Sequence, residues 1–163
     1  MGCPIDWITC ARAALGGSVN CLKFTYEKSG HWNAVVSCSA AAVGSLECLK
    51  YAHENGCPWD FRVWDGAIQC NSVECMKYAY VNRCPKYSPD LVAVRTNSLE
   101  CLDYLHSIGY CRSRDLCTAA VQYNSLKCLK YLHEHGYPWD DETIYQARRY
   151  NATDCLAYLS SFE

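Results

Sequence analysis

One stretch of this chain occurs twice, and it constrains the fold more than any other feature. Residues 45–60 read SLECLKYAHENGCPWD and residues 125–140 read SLKCLKYLHEHGYPWD, so the two copies differ at only four positions. Partial copies fill the sequence between and around them. Such self-similarity is the signature of repeat architectures, in which each unit buries its apolar face against its neighbours.

The cysteine of a Leu-x-Cys-Leu-like core sets the period. It recurs at Cys21, Cys48, Cys75, Cys101, Cys128 and Cys155, so the steps between successive copies are 27, 27, 26, 27 and 27. Six repeats therefore account for nearly all of the chain, and they cover about residues 5–29, 32–56, 59–83, 87–109, 112–136 and 139–163. The expected organisation is a single repeat domain over residues 1–163.

Recurrent columns predict two helices and a tight turn in every repeat. Alanine lies eight positions before each cysteine, Gly or Asn lies four before it, and Ser lies three before it in all repeats except the last. Gly or Asn suits a helix end where the chain turns through the left-handed region, and the following Ser is a typical N-cap. The predicted helices cover residues 7–16, 19–29, 34–43, 46–55, 61–70, 73–82, 89–96, 99–107, 114–123, 126–135, 141–150 and 153–161.

The first helix of each repeat has its own predicted N-cap. These residues are Asp6, Asn33, Asp60, Ser113 and Asp140, and Ser88 before Pro89 in the fourth repeat. The loop before the fourth repeat carries Arg83 where other repeats have glycine, and the helix after it is shorter. We expect a local irregularity there.

These columns resemble the ankyrin repeat. Residues 41–56, AAVGSLECLKYAHENG, follow the ankyrin wording closely, with Cys48 in the place of a valine. The Thr-Pro-Leu-His opening is missing, and the repeat is shorter than the usual length of about 33 residues. The resemblance implies an all-α solenoid of six helix-turn-helix repeats without β-hairpin fingers. The wording CLKYAHENGCPWD is most similar to the short-repeat ankyrin-like arrays of giant amoeba-infecting viruses.

Composition and charge limit the kinds of function. The net charge of −2 disfavours nucleic-acid binding and anionic membrane surfaces, which require a basic excess. No apolar run approaches the roughly 18 residues of a membrane span, and no signal-peptide pattern is present. The expected location is therefore intracellular, in the host cytoplasm or nucleus, or in a virion.

The cysteines are expected to be reduced. Cysteines of one column lie about one helix-packing distance of ~10 Å apart, which is beyond disulfide reach and too far for a shared zinc ion. We expect a small buried apolar role for them. Among the loop cysteines Cys3, Cys57, Cys84 and Cys111, no place gathers four metal ligands. His53, His106 and His133 are expected to hydrogen-bond a neighbouring loop.

No catalytic pattern stands out. Candidate nucleophiles and bases recur in every repeat, which is the mark of a scaffold, and neither a Gly-rich phosphate loop nor an HExxH motif occurs. The chain is therefore predicted to be no enzyme and to need no metal or cofactor. The resemblance implies non-catalytic binding of an unidentified host or viral protein.

Two sets of residues are candidates for partner binding. Tryptophans lie where a loop enters the first helix, at Trp32, Trp59 and Trp139, and they serve either packing between repeats or anchoring of a partner. Residues on the first helices vary between repeats, and the candidates there are Arg12, Arg62, Asp65, Arg95, Gln122, Arg148 and Arg149. The alternative for this second set is a solvated surface without a role.

The two ends of the array differ. The last helix is polar enough to act as a cap, whereas the first, WITCARAALG, is as apolar as an internal helix. This favours the hypothesis that another chain, possibly a second copy, covers the N-terminal repeat. The alternative to a protein-binding scaffold is therefore a virion or assembly component that packs mainly with its own copies. Nucleic-acid binding is a third, disfavoured by charge.

Overall fold

The computed structural model describes residues 6–111, 113 and 115–162. In this part of the chain twelve α-helices follow one another without a β-strand, and a 3-10 turn, Ser160–Phe162, ends the last repeat. The helices are α1 (Trp7–Leu15), α2 (Val19–Ser29), α3 (Ala34–Ala42), α4 (Leu46–Glu54), α5 (Arg62–Gln69), α6 (Val73–Val81), α7 (Pro89–Arg95), α8 (Leu99–Ser107), α9 (Leu116–Gln122), α10 (Leu126–Glu134), α11 (Asp141–Arg149) and α12 (Thr153–Leu159). Each begins and ends within two positions of its predicted bounds.

Three of the predicted N-caps of the first helices are confirmed. The side chains of Asp6, Asn33 and Asp140 accept hydrogen bonds from backbone N–H groups of the first helical turn, at 2.9–3.1 Å. Asp60 and Ser113 accept similar bonds at 3.0 and 3.4 Å, but the residues at the N-cap positions of α5 and α9 are Phe61 and Asp115. Ser88 precedes Pro89 at the expected place, yet its side chain makes no capping bond.

The turn inside each repeat follows the prediction at every copy. The column of Gly or Asn adopts φ between 50° and 68°, at Gly17, Gly44, Asn71, Asn97, Asn124 and Asn151. Only glycine and, to a lesser degree, asparagine adopt this region readily, because a Cβ crowds the backbone there. The composition of this column therefore encodes the reversal between the two helices.

The second helices are capped in two different ways. In the first three repeats Ser18, Ser45 and Ser72 accept the bond from the N–H of the column cysteine that follows, at 3.3–3.4 Å. In the last two repeats Asn97 and Asn124, which belong to the preceding repeat, take this role. Their side-chain oxygens accept from the N–H groups of Cys128 and Cys155 at 3.3 Å.

The prediction that Ser125 caps α10 is therefore wrong. Its side-chain oxygen is buried and has no hydrogen-bond partner, because Asn97 already occupies the N–H it would serve. In the earlier repeats the residue at the position of Asn97 is Gly17 or Gly44, which has no side chain to offer. The same reasoning explains why Ala152 can stand where the other repeats have serine.

Backbone contacts divide the chain into two compact units, Met1–Tyr87 and Ser88–Glu163. In the first unit α1, α3 and α5 pack side by side in one layer, and α2, α4 and α6 form a second, more loosely spaced layer. The core lies between the layers, where Leu22, Leu49 and Met76 are fully buried. That the six repeats form a single domain stays a prediction.

Small residues let the first layer pack closely. Ala40 and Ala67 are fully buried, as the alanine column predicts, whereas Ala13 is only half-buried. At Gly66 the backbones of α3 and α5 approach so closely that a Cβ would lie 2.9 Å from the backbone nitrogen of Ala42. At the point where the two backbones meet, only a residue without a side chain fits.

The second unit has the same two layers. Helices α7, α9 and α11 form one, and α8, α10 and α12 form the other. Leu102, Leu116, Leu129 and Leu132 are fully buried between them. Helix α7 has 7 residues, fewer than the 9 of α1 and α3, but α9 also has 7, so the length of the helix does not set the fourth repeat apart as predicted.

The column of cysteines is buried in all repeats but the first. Cys48, Cys75, Cys101, Cys128 and Cys155 are 0% exposed, as expected for small apolar residues of the second helix. Cys21 is exposed, so the prediction is wrong for this residue. The structure describes no helix on the side of α2 that carries Cys21, whereas later repeats have a preceding neighbour there.

Candidate partner-binding surfaces

The three candidate tryptophans lie in aromatic stacks that join consecutive repeats. Trp32 stacks on Tyr26 of the preceding helix, with ring centroids 3.8 Å apart, and meets the edge of Tyr51 in the next second helix at 6.2 Å. Its indole nitrogen donates a hydrogen bond to the carbonyl oxygen of Asn55 at 2.9 Å. One side chain thus connects two repeats through both rings and backbone.

Trp59 repeats this arrangement with histidine in the place of tyrosine. Its indole stacks on His53 at 3.8 Å and meets the edge of Tyr78 at 6.1 Å. The Nδ1 of His53 and the hydroxyl of Tyr78 share a hydrogen bond of 2.9 Å. Stacked and edge-on aromatic pairs of this kind add to the stabilisation from area burial alone.

Trp139 belongs to the corresponding stack of the second unit. It packs on His133 at 4.1 Å and on the edge of Tyr158 at 6.1 Å, and His133 Nδ1 shares a 2.9 Å hydrogen bond with the Tyr158 hydroxyl. Phe162 of the final 3-10 turn closes the stack, 5.5 Å from Trp139. The last helix and its turn thus cover this end of the array.

The histidine column has the structural role that was expected, but not the expected partner. His53, His106 and His133 bond to a tyrosine hydroxyl on the second helix of the next repeat, and not to a loop. The tyrosines lie three positions after the column cysteines, so consecutive second helices are joined in register. The tryptophans complete these joints while remaining half-buried.

The candidates on the first helices are distributed over both units. Asp65 and Gln122 are half-buried, and the arginines are exposed at Arg12, Arg62, Arg95, Arg148 and Arg149. The arginines are distributed over α1, α5, α7 and α11, with one or two on each helix. Arg62 forms an ion pair of 2.7 Å with Asp60, and its side-chain hydrogen bonds lower the pKa of that carboxyl group. As partner-binding residues all seven stay predictions.

Sequence reasoning missed a departure from the tryptophan column. Trp59 lies one repeat period after Trp32, and the residue one further period along is Lys86. By the same period, the position equivalent to His53 is Tyr80. The ammonium of Lys86 lies 4.8 Å from the ring centroid of Tyr80 and 5.7 Å from that of Trp64. A cation therefore takes the place on the aromatic ring that an indole takes in the two repeats before it.

A cleft of about 540 Å³ opens beside this departure in the first unit. It is lined by Trp64, Tyr80, Val81, Arg83, Cys84, Pro85 and Lys86. Trp64 is 1% exposed, and its indole nitrogen donates a hydrogen bond to the carbonyl oxygen of Cys84 at 3.3 Å. The signal that could have found this cleft is the pair of exceptions to the repeat pattern, Arg83 for glycine and Lys86 for tryptophan.

Several thiols of the described residues have raised pKa values. Burial raises the pKa of Cys38 and Cys155 to about 11 and that of Cys84 and Cys128 to about 12, so these groups are protonated near neutral pH. In the chain as described all cysteines are free, and no three metal-ligating side chains come together. Cys3 lies outside the described residues.

The ankyrin repeat domain of human ASB11 is similar in structure to this chain. The TM-score is 0.72 at 19% sequence identity, and the match covers 94% of this chain and 82% of that domain. The chain folds as an ankyrin-repeat solenoid. No protein-family model matches its sequence, and a search of the curated proteins finds no match.

The likeness confirms the predicted repeat type and the all-α class of this ankyrin-repeat chain. At this level of identity it concerns the fold alone. The partner of this ankyrin-repeat chain has to be argued from its own exposed residues, because a repeat frame carries binding sites without specifying them.

Proposed function

We propose that this ankyrin-repeat chain is a non-catalytic scaffold that binds another protein. The observation that supports this most is the apolar rim of the cleft in the first unit. Val81 is 75% exposed there and Tyr80, which also lines the cleft, is 40% exposed, although both side chains are large and apolar enough for a core. Contiguous exposed apolar surface with polar groups around it is typical of protein-interaction sites.

The chemistry of the side chains favours binding over catalysis. Three histidines hydrogen-bond a tyrosine of the next repeat, and burial raises the pKa of thiols such as that of Cys128, so both kinds of side chain serve the packing of the repeats. The polar groups that recur do so because they join repeats.

Affinity purification of the tagged chain from the cells that express it tests the scaffold proposal. We expect one protein in stoichiometric amount, and a complex of defined mass when the two purified proteins are mixed and analysed by sedimentation. Purification without a stoichiometric partner from those cells would contradict the proposal.

Assembly with its own copies is a second candidate, favoured by the N-terminal repeat. Large apolar side chains are exposed on α1 and α2, namely Trp7 (37%), Ile8 (43%), Leu15 (51%) and Phe24 (56%). We expect light scattering to show a mass that rises with concentration if this surface joins copies, and Leu15→Asp to suppress the rise. A monomeric mass at high micromolar concentration would exclude this candidate.

The proposal includes three further expectations, which the same purification would help to test. These are a virion or intracellular location, a host or viral partner, and weak or absent nucleic-acid binding, for which the net charge of −2 is the argument. In the portion of the chain that the structure describes, none of the helices combines the length and the apolar character needed to cross a bilayer.

A further inference from the structure

We infer that the cleft beside loop 83–87 binds an acidic segment of the partner protein that carries an apolar side chain. This inference rests on the proposed scaffold function and names the chemistry of the partner. It is carried by the place of the cleft in the repeat pattern, by the charges on its lining and by its apolar walls.

The cleft exists because the ring of Tyr80 in the third repeat lacks the cover that the equivalent rings of the first two repeats have. Those rings, of Tyr26 and His53, are covered by Trp32 and Trp59 of the following repeats, at 3.8 Å in both cases. Lys86 at the equivalent position is narrower than an indole, and Tyr80 beneath it is 40% exposed. The space that a tryptophan fills elsewhere is thus open to a ligand.

The lining is positively charged. Arg83 and Lys86 are its only ionised members, since none of the other lining residues carries a charge and none is acidic. The ring faces of Tyr80 and Trp64 attract the ammonium of Lys86 and hold it at the cleft. A carboxylate of a bound segment would meet this pre-positioned cation.

Arg83 has no local structural reason to be an arginine. Its φ is 57°, and three other repeats place Gly56, Gly109 and Gly136 in the same left-handed conformation. A residue with a Cβ is disfavoured there. The sequence therefore accepts backbone strain at the position that gives the cleft its second positive charge, and strain of this kind concentrates at binding sites.

The walls are apolar and the floor is fixed. Tyr80, Val81 and Pro85 are exposed at the sides, and Trp64 is buried below and hydrogen-bonded to the backbone of Cys84. The cleft has a volume of about 540 Å³ and is open to solvent on one side. It accommodates one or two apolar side chains, so a peptide uses both the charges and the walls, whereas a free anion uses the charges alone.

Titration of the isotope-labelled chain, followed by NMR, tests the inference with three synthetic hexapeptides. The first is acetyl-Glu-Asp-Leu-Phe-Glu-Asp-amide, the second has all four acidic residues replaced by lysine, and the third has Leu-Phe replaced by Ser-Gly. We expect the first to shift the signals of the Trp64 indole N–H, Val81 and Arg83 in a saturable way. The second and third peptides should bind at least about fivefold more weakly.

Two variants localise the effect. Arg83→Gly restores the residue type of the other repeats, so the chain should fold at least as well, and we expect it to weaken binding of the first peptide by about two- to fivefold. Adding Lys86→Ser should weaken it further. Lys28→Ala removes one positive charge from the same unit outside the cleft and should leave the affinity unchanged.

Several outcomes would overturn the inference. These are shifts located outside the cleft or absent, equal binding of the acidic and lysine peptides, and an affinity that Arg83→Gly does not change. Sodium phosphate that binds as tightly as the first peptide would indicate a free anion instead. If a purified partner binds the double variant as it binds the parent chain, this site is wrong and the scaffold function stands.

Discussion

Replacing Gly66 by alanine tests whether close backbone approach holds the first layer of helices together. Gly66 lies inside α5, and its φ is not in the left-handed region, so its own conformation does not require glycine. In an isolated helix the change to alanine would be favourable by about 1 kcal/mol. The close packing of α3 against Gly66 makes the change to alanine unfavourable in this protein.

The added Cβ would lie 2.9 Å from the backbone nitrogen of Ala42 and 3.2 Å from both its Cα and the carbonyl oxygen of Cys38. Backbone atoms cannot rotate away as side chains do, so α3 and α5 must separate. Overpacking of this kind costs about 1–3 kcal/mol. After the gain in helix propensity is subtracted, we expect Gly66→Ala to lower the free energy of unfolding by up to about 2 kcal/mol.

Urea denaturation followed by circular dichroism in the far ultraviolet measures the effect, and Gly16→Ala is the matched control. Gly16 has φ of −74°, and a Cβ there would meet only carbonyl oxygens of its own helix, at 3.4 and 3.6 Å. This control should be neutral or more stable by about 0.5 kcal/mol. If Gly66→Ala is as stable as Gly16→Ala, the reasoning from backbone approach is wrong.

Two more predictions follow from the caps and the thiols. Ser45→Ala should lower the free energy of unfolding by about 1 kcal/mol, because Ser45 caps α4. Ser125→Ala should be neutral or stabilising, because the buried hydroxyl of Ser125 has no hydrogen-bond partner. The same urea titration compares the two variants. N-ethylmaleimide should label the exposed Cys21 in the native protein and Cys128, 0% exposed with a pKa of about 12, only after unfolding, as peptide mass mapping would show.

Equal losses at the two serines would refute the exchange of caps between repeats. Labelling of Cys128 in the native protein at the rate of Cys21 would contradict the burial of the cysteine column.

Much of the fold could be predicted from the sequence because the same capping, turn and apolar positions recur in six repeats. A single Asn71 or Gly44 is weak information, but a column of Gly and Asn at one spacing identifies a left-handed turn. The helix bounds agreed with the prediction for the same reason. Caps, turn residues and the apolar face are local properties that each repeat carries independently.

Relations between repeats could not be predicted, because they depend on which side chains stacking brings together. That Asn124 of one repeat caps the helix of Cys155 in the next follows from the stacking distance and not from local preference. The partner of His53 likewise became clear only when the next second helix placed Tyr78 beside it.

The sequence by itself determined the period, the helix pairs and the ankyrin-like character of this chain, because local conformational preferences that recur at a fixed spacing can be recognised from the residues alone. Tertiary structure decided which departures from the period matter. In the sequence, Arg83 indicates only a local irregularity, and nothing there links it to Lys86 in one site. Stacking makes them the charged lining of a cleft, because it places Lys86 over the ring of Tyr80, where the preceding repeats have an indole, and leaves Trp64 buried below.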